Sequence, residues 1–283
     1  HCVISRKDRY GLNTRTVVCR RCGLIFINPR MTKEWYGRFY AGAYREQTMI
    51  YKDRKKKPDP EKGFWHAKKL GISLASQIKS HLKDGLLVEV GSSRGGVLAG
   101  FKEVMPSLEI LGIEPSPDES DFARRKGIRT HQALFEDLSF EVSGADNIMI
   151  VRSLNHLLDP KRFFDWAWRE LKEDGRLVIM VVNFTRACQN RGRLATQIDH
   201  PFMFSRRTLE NFVKSAGFRI LFADLRTRPD YIQMVAVKSE RGEAAQSKTD
   251  PVIYYQTLIS LHPFVLKLRY LFGLLKRKVF PVS

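Results

Sequence analysis

The segment Leu86-Leu87-Val88-Glu89-Val90-Gly91-Ser92-Ser93-Arg94-Gly95-Gly96 is an apolar run that ends in an acid and breaks into small residues. Such a pattern predicts a buried strand turning sharply into a helix. Small residues let the backbone come close to a ligand, and the helix start behind them presents free N–H groups. Together they make a cradle for a nucleotide-like molecule. The next apolar run, Glu109-Ile110-Leu111-Gly112-Ile113-Glu114, ends in a second acid, 114 − 91 = 23 residues after the first glycine. An acid about 20 residues beyond such a loop is placed to hold a ribose diol. On their own, Gly91, Ser93 and Gly96 also fit a degraded dinucleotide fingerprint.

Two further segments follow: Asp146-Asn147-Ile148-Met149-Ile150-Val151-Arg152-Ser153-Leu154-Asn155-His156-Leu157-Leu158-Asp159-Pro160, and Leu171-Lys172-Glu173-Asp174-Gly175-Arg176-Leu177-Val178-Ile179-Met180. In this order the pieces resemble the class I S-adenosylmethionine-dependent methyltransferases, over roughly residues 70 to 238. Glu89-x-Gly91-x-Ser93-x-Gly95 is similar to that family's acid-x-Gly-x-Gly-x-Gly loop, with Ser93 in place of a glycine. Asn155-His156-Leu157-Leu158-Asp159-Pro160 resembles a segment usually read as Glu-His-Leu-x-Asp-Pro, with Asn155 in place of the acid.

The resemblance implies a Rossmann-like α/β fold: a mostly parallel, doubly wound sheet with an antiparallel last strand. It implies that Glu89 fixes the loop and the methionine portion of the cofactor. The backbone of Gly91, Ser92, Ser93 and Gly95 would shape the pocket, and Glu114 would accept both ribose hydroxyls. Adenine would rest near Ala133 and Leu134, with Glu136 and Asp137 close by. Arg152 and Ser153, at the end of the fourth strand, are also placed with the cofactor.

Alternation of strand and helix patterns carries the same fold from the residues themselves. Strands are predicted near 86–90, 109–114, 146–151 and 176–182, with helical stretches between them, as in a parallel sheet covered on both faces. Trp65 to Leu82 predicts an amphipathic helix. Ser205 to Gly217 predicts a helix with Ser205 as N-cap and Gly217 as stop. Phe218–Leu225 and Tyr231–Val237 predict a terminal pair of strands, which a plain nicotinamide-binding domain does not need.

The 283 residues, 43% of them hydrophobic, suffice for one sizeable core with small appendages. A formal net charge of +19 points to an anionic partner: nucleic acid, a membrane surface or a phosphorylated substrate. No run of 18 or more uncharged apolar residues is present, which argues against a spanning helix. Four cysteines with a Cys19-x-x-Cys22 pair suggest a metal knuckle in a reducing cytoplasm rather than a disulfide framework.

Thr16 to Phe26 reads as strand, knuckle, strand, as zinc ribbons are built; tetrahedral zinc needs two such pairs. Cys2 is present, but Ser5 stands where a second Cys-x-x-Cys would close. The metal set Cys2, Cys19 and Cys22 is therefore either cut short at His1 or degenerate, and bound zinc and an empty knuckle both stand. The block through Asn28-Pro29-Arg30 is similar to an N-terminal ribbon on some small-molecule methyltransferases of bacterial surface-glycan pathways. Cys188 reads as a packed thiol.

The expected organisation is a ribbon-like segment (1–30), a helical cap and basic linker (31–70), the methyltransferase domain (71–240) and a basic amphipathic tail (241–283). The aromatic set Trp35, Tyr36, Phe39, Tyr40 and Tyr44 reads as core or as a lid over the cofactor mouth. Lys52 to Pro60 reads as a solvated linker. In the tail, Phe264, Leu268, Leu271, Phe272 and Leu275 share one helical face, with basic residues outside it. That stripe suits packing on the chain's own body, a homodimer contact or peripheral attachment to a membrane.

For proton removal the candidates are His156, after the fourth strand, and His200, with Asp199 to orient an imidazole. Methyl transfer to a small molecule, a sugar or surface-glycan intermediate that is anionic or lipid-linked, is the leading expectation. An RNA or DNA methyltransferase is the alternative favoured by charge. Against it, the chain lacks an Asn/Asp-Pro-Pro-aromatic segment and a Pro-Cys nucleophile. A non-catalytic binding module and a nicotinamide oxidoreductase complete the set.

Overall fold

The computed structural model describes residues 2–40, 59–138, 142 and 144–239. Tyr44, the basic run from Lys52 to Pro58 and the amphipathic tail lie outside the described residues, so the lid, linker and tail expectations are not addressed by it. Among the described residues no helix is long and apolar enough to cross a membrane.

A small antiparallel sheet opens the chain: β1 (Cys2–Lys7), β2 (Asn13–Val18) and β3 (Ile25–Ile27), joined by β9 (Phe202–Met203) from far downstream. Ile25 pairs with Met203 and Phe26 with Phe202. The N-terminal hairpin, through β3, is thus tied to a segment between β8 (Leu171–Val182) and β10 (Phe218–Asp224) of the main sheet. A short helix, α1 (Lys33–Arg38), is capped by Thr32 and buries Tyr36.

The main sheet has the order β10-β11-β8-β7-β4-β5-β6. Its strands are β4 (Leu86–Val90), β5 (Glu109–Glu114), β6 (Thr130–Gln132), β7 (Ala145–Val151), β8 (Leu171–Val182), β10 (Phe218–Asp224) and β11 (Tyr231–Lys238). β4 to β8 run parallel, and β11 lies antiparallel between β8 and β10. The sheet therefore has the mixed α/β, mostly parallel topology expected. β8 begins at Leu171, earlier than the expected 176, because Ala145 pairs with Leu171 across a register irregularity.

Period-two alternation explains the two cores. Val88, Val90, Ile148, Ile150, Leu177 and Ile179 face one side, where α5 (Pro160–Glu170) and α7 (Arg206–Ser215) cover them with Phe163, Phe164, Leu209 and Val213. Leu87, Met149, Val151, Val178 and Met180 face the other side, under α2 (Pro60–Ile78), α3 (Gly96–Val104) and α4 (Pro117–Arg125). The expected boundary at residue 70 falls inside α2, which runs unbroken from Asp59, its N-cap. Gly71 lets α2 touch the backbone of α3: a Cβ there would lie 3.0 Å from Val97 Cα.

Caps follow the predicted signals. Ser205 and Thr208 form a reciprocal capping box at the start of α7, and Gly217 follows it with φ 85°. Asp159 caps α5, with Pro160 in its first turn. Strand order reverses between β4 and β7, so a crevice opens at their carboxyl ends, where ligands of such sheets bind.

Candidate active site

The crevice is a cavity of about 650 Å³. Glu89, Gly91, Ser92, Ser93, Glu114, Ala133, Leu134, Arg152, Ser153, His156, Asp199 and His200 all border it. Of the residues expected to hold the cofactor, Gly95 alone does not. It stands behind the loop as N-cap of α3 with φ 73°, against Ile128.

The loop after β4 is fixed from both sides. Gly91 (φ 74°) and Ser93 (φ 48°) both take the left-handed conformation. Serine tolerates it here because its groups are bonded: Ser93 N–H donates to Glu114 Oε2 (2.8 Å) and its hydroxyl to Glu119 Oε2 (2.9 Å). Glu114 Oε1 accepts from Ser116 N–H at 3.0 Å, so this acid joins the ends of β4 and β5 while bordering the cavity. Glu119 is paired with Arg94 at 3.0 Å. At Gly91 an added Cβ would lie 2.6 Å from Ser153 Cβ, so the first glycine is required twice, by conformation and by contact.

Glu89 is buried, and among the described residues its Oε2 has no hydrogen-bond partner; the same holds for Ser92 Oγ. Burial, reinforced by the Glu114 charge, pushes the Glu89 carboxyl well above the usual range. An unsatisfied acid of this kind calls for a cation or a hydrogen-bond donor. The ammonium of S-adenosylmethionine supplies one, and its ribose suits Glu114. A nicotinamide dinucleotide would instead bring an anionic pyrophosphate towards two acids. The residues present therefore fit S-adenosylmethionine.

Facing the loop is a cluster from three elements. His156, in a short turn after β7, has Nδ1 2.9 Å from the Asp199 carbonyl and 2.7 Å from the Tyr40 hydroxyl. A carbonyl only accepts, so Nδ1 carries the proton and Nε2 keeps the lone pair. Burial holds His156 below its ordinary value; Asp199 opposes this and Arg152 adds to it. His200 differs: its Nδ1 is 2.9 Å from the Gln197 amide nitrogen, a donor, so that lone pair is occupied. Burial, helped by the charges of His156, Arg9 and Arg152, holds His200 well down.

The Asp199 carboxylate does not orient either ring by a hydrogen bond. Its Oδ2 lies 3.9 Å from both His156 Nδ1 and His200 Nε2, and the carbonyl performs the orienting role expected of the side chain. Burial raises the Asp199 carboxyl, with His156 opposing. His156, Asp199 and His200 bring ligand atoms within 4.8 Å of one another, a set that could hold a metal. Each ring is hydrogen-bonded, His156 to a carbonyl and His200 to Gln197, while the buried Asp199 carboxylate stands close to both without a bond to either.

Sequence reading missed what holds this cluster. Asp8, at the tip of the β1–β2 hairpin, accepts from Ile198 N–H (2.9 Å) as well as Tyr10 and Leu12. Tyr36 hydroxyl donates to Ile198 O at 2.8 Å. Asn155 is a strut and not an acid: buried, it donates to Phe202 O at 3.2 Å. Only the Asp8-x-x-Gly11 turn carried a local signal, with Gly11 at φ 80°.

Two cysteines of the knuckle come together. Burial raises the Cys19 thiol, but hydrogen bonds from the Cys22 and Arg21 N–H groups outweigh it and hold it down, while burial raises Cys22; the two free thiols share a hydrogen bond. Gly23, directly after Cys22, closes the turn with φ 70°, its N–H donating to Cys19 O at 3.0 Å. Cys2 stands in β1 opposite Val18, its sulfur 3.8 Å from Val3 O, and does not complete a close three-sulfur group with them. Cys188 is buried in apolar surroundings that raise its thiol, as a packed residue should be.

A sequence family described as a methyltransferase domain matches residues 66–222. The uncharacterized protein MJ1123 of Methanocaldococcus jannaschii is 25% identical over 173 residues, 59% of this chain and 81% of that protein. Among solved structures, one chain from the complex of the Haloferax volcanii Trm112 methyltransferase activator with a candidate methyltransferase aligns with TM-score 0.53 and 14% identity. The alignment covers 74% of this chain and all of that one. The plantazolicin methyltransferase BpumL, solved with S-adenosylhomocysteine, aligns with TM-score 0.50 and 14% identity over 72% of this chain and 94% of its own. These structural likenesses show the fold, and the family match spans more than half of the chain. With a cavity that suits the sulfonium cofactor, the chain belongs to the methyltransferase-domain family as a class I, S-adenosylmethionine-dependent methyltransferase.

Proposed function

We propose that this enzyme methylates a small molecule, a sugar or surface-glycan intermediate, with His156 as the proton acceptor. One observation carries the proposal: two acids at the loop, Glu89 and Glu114, and a neutral imidazole at His156 border the same cavity. Bound S-adenosylmethionine supplies a methyl carbon already activated by its sulfonium. Glu89 binds the ammonium, Glu114 takes the ribose hydroxyls, and Ala133 and Leu134 bound the adenine. Ser153 and the backbone of Arg152 close the methionine end. Tyr40 and the Asp199 carbonyl hold His156 so that Nε2 would receive the proton the acceptor loses as its bond to the methyl carbon forms and the methyl–sulfur bond breaks, its electron pair staying on the sulfur of the departing S-adenosylhomocysteine. His200, its lone pair held by Gln197, supports the wall.

The surface-glycan assignment rests on the similarity of residues 1–30 to ribbons found on such enzymes. In the same proposal Cys19 and Cys22 bind zinc, with Cys2 turning in as a third ligand and a fourth to be supplied. Calorimetry with S-adenosylhomocysteine and NAD, followed by labelled methyl transfer to a panel of sugars and sugar phosphates, tests the function. Tight S-adenosylhomocysteine binding with label in a sugar is expected; NAD binding in its place, or label only in RNA, overturns it.

A further inference from the structure

The β1–β2 hairpin and its knuckle carry a one-sided charge that the active site does not use. Residues 2–24 hold six cations, Arg6, Lys7, Arg9, Arg15, Arg20 and Arg21, against one acid, Asp8. Asp8 is buried, and its carboxylate is taken up by the N–H groups of Tyr10, Leu12 and Ile198. Arg9 borders the cavity. The other five cations are exposed, and among the described residues none of those five has a carboxylate partner. Of the acids on the segments packed nearby, Asp199 is buried, and Asp230 sits beside Arg186 (4.0 Å) and Asn190 (3.3 Å).

Strand register gives the hairpin an inner and an outer face. Ser5 opposes Thr16, and both are buried with Thr14, on the side where Val18 clusters with Phe184 and Cys188 of α6 (Phe184–Arg191). Lys7 opposes Asn13, which alternation puts on the same side as Arg15, and all three are exposed. Val3 opposes Val17 and so edges that outer side. Four large apolar side chains are exposed among the described residues. Three of them belong to the hairpin or to the segment bonded to its turn: Val3 (38%), Leu12 (42%) and Leu194 (52%), whose carbonyl accepts from Arg9 Nε at 3.2 Å.

We propose that this outer face docks the protein on an anionic lipid bilayer. Its cations are drawn to the headgroups, and the exposed aliphatic side chains enter the apolar layer beneath them. Single-stranded nucleic acid is instead held by cations interleaved with aromatic rings on which bases stack. The one aromatic of residues 2–18, Tyr10, borders the cavity, and what stands among the unpaired cations is valine and leucine. Docking here sets the cavity beside the bilayer, because Arg9 and Tyr10 of the same turn line it. An acceptor carried on a lipid then enters the cavity without leaving its membrane. That consequence rests on the glycan reading of the cavity, whereas the docking itself does not.

The test is co-sedimentation of the full chain with vesicles of phosphatidylcholine alone and of phosphatidylcholine with one-third phosphatidylglycerol. Binding to the anionic vesicles should be at least tenfold tighter. Lys7→Gln, Arg15→Gln and Arg20→Gln together should weaken it at least tenfold. Lys69→Gln, Lys79→Gln and Lys214→Gln remove the same charge from exposed positions on or next to α2 and α7, and should change it less than threefold. Leu12→Ser with Leu194→Ser should weaken it at least threefold. Equal binding to the two kinds of vesicle, equal losses in the two charge triples, or no effect of the leucine pair overturns the docking face. So does binding of single-stranded RNA that the hairpin triple abolishes while vesicle binding survives. Calorimetry should show S-adenosylhomocysteine affinity within twofold of wild type in every variant. Hairpin-dependent vesicle binding by a protein that fails to bind S-adenosylhomocysteine leaves the docking face standing and removes the cofactor assignment instead.

Discussion

Gly91→Ala tests the foundation of the site, because two separate penalties at that position can be told apart. The residue has φ 74°, and a Cβ would sit 2.6 Å from Ser153 Cβ and nearer still to its hydroxyl. Holding an L-residue in the left-handed region costs about 1–2 kcal/mol. Forcing a methyl into a filled contact costs about 1–3 kcal/mol more. Gly91→Ala should therefore destabilise the fold by roughly 2–5 kcal/mol in urea unfolding. It should also weaken S-adenosylhomocysteine in calorimetry, since Ser92 and Ser93 move with the loop. Ser153→Gly removes the contact but leaves the conformation. In that background the alanine should cost only the conformational part, about 1–2 kcal/mol, giving a coupling of about 1–3 kcal/mol between the two sites. A Gly91→Ala cost below about 0.5 kcal/mol, or the same cost with and without Ser153, would refute the packing on which the cofactor loop depends.

Glu89→Gln should separate binding from stability. The folded carboxyl is raised above its unfolded value, so the native state holds a proton that the unfolded chain releases, and stability falls as pH rises through that interval. The glutamine variant should then have a higher Tm than wild type at neutral pH, with the difference vanishing below the unfolded value. It should bind S-adenosylhomocysteine about 10–150-fold more weakly, the loss of a charged hydrogen bond; equal binding would remove Glu89 from the cofactor. His156→Asn should lower kcat by about 10²–10⁴-fold with S-adenosylhomocysteine affinity retained. His200→Asn should cost less, and the reverse ranking would reassign the base. Because burial holds the His156 value below the ordinary one, activity should fall only as pH drops beneath about 6.5, when the base becomes protonated. Metal analysis of protein purified with zinc should find one equivalent, lost in Cys19→Ser; no metal in intact protein would leave the knuckle vacant.

What the sequence revealed and what it hid divide along chain separation. The glycine-loop side of the cavity was legible because its constraints are local. The run Leu86 to Val90 ends in a turn whose glycine, serine and acid all lie within a few positions. Glu114 is found by counting along one strand–helix–strand unit. The caps at Ser205 and Asp159 were legible for the same reason. His156 and His200 could be named, since both follow recognisable segments, yet their unequal status rests on Gln197 and on a carbonyl, and no pattern of residue types announces a carbonyl. Asp199 was expected to orient an imidazole through its carboxylate, and it is its carbonyl that meets His156 Nδ1.

The side of the cavity around His156 and His200 was hidden because it is assembled from distant pieces. Asp8 holds Ile198 across 190 positions, and Tyr36 reaches the same residue across 162. Such contacts exist only because β3 pairs with β9, a two-residue strand too short to show alternation. The N-terminal hairpin, read from its cysteines as a metal module, is the wall against which the loop of Ile198 to His200 is built. That support makes a linked expectation: loss of the hairpin's own order should disturb His156 and His200 before it disturbs Glu114, which is braced by the loops after β4 and β5. Asp8→Ala strands three N–H groups, each worth about 1–3 kcal/mol when buried and unpaired. If the hairpin supports the acceptor wall, that variant retains S-adenosylhomocysteine and loses methyl transfer. Loss of both together would mean that the two halves of the cavity are not held independently.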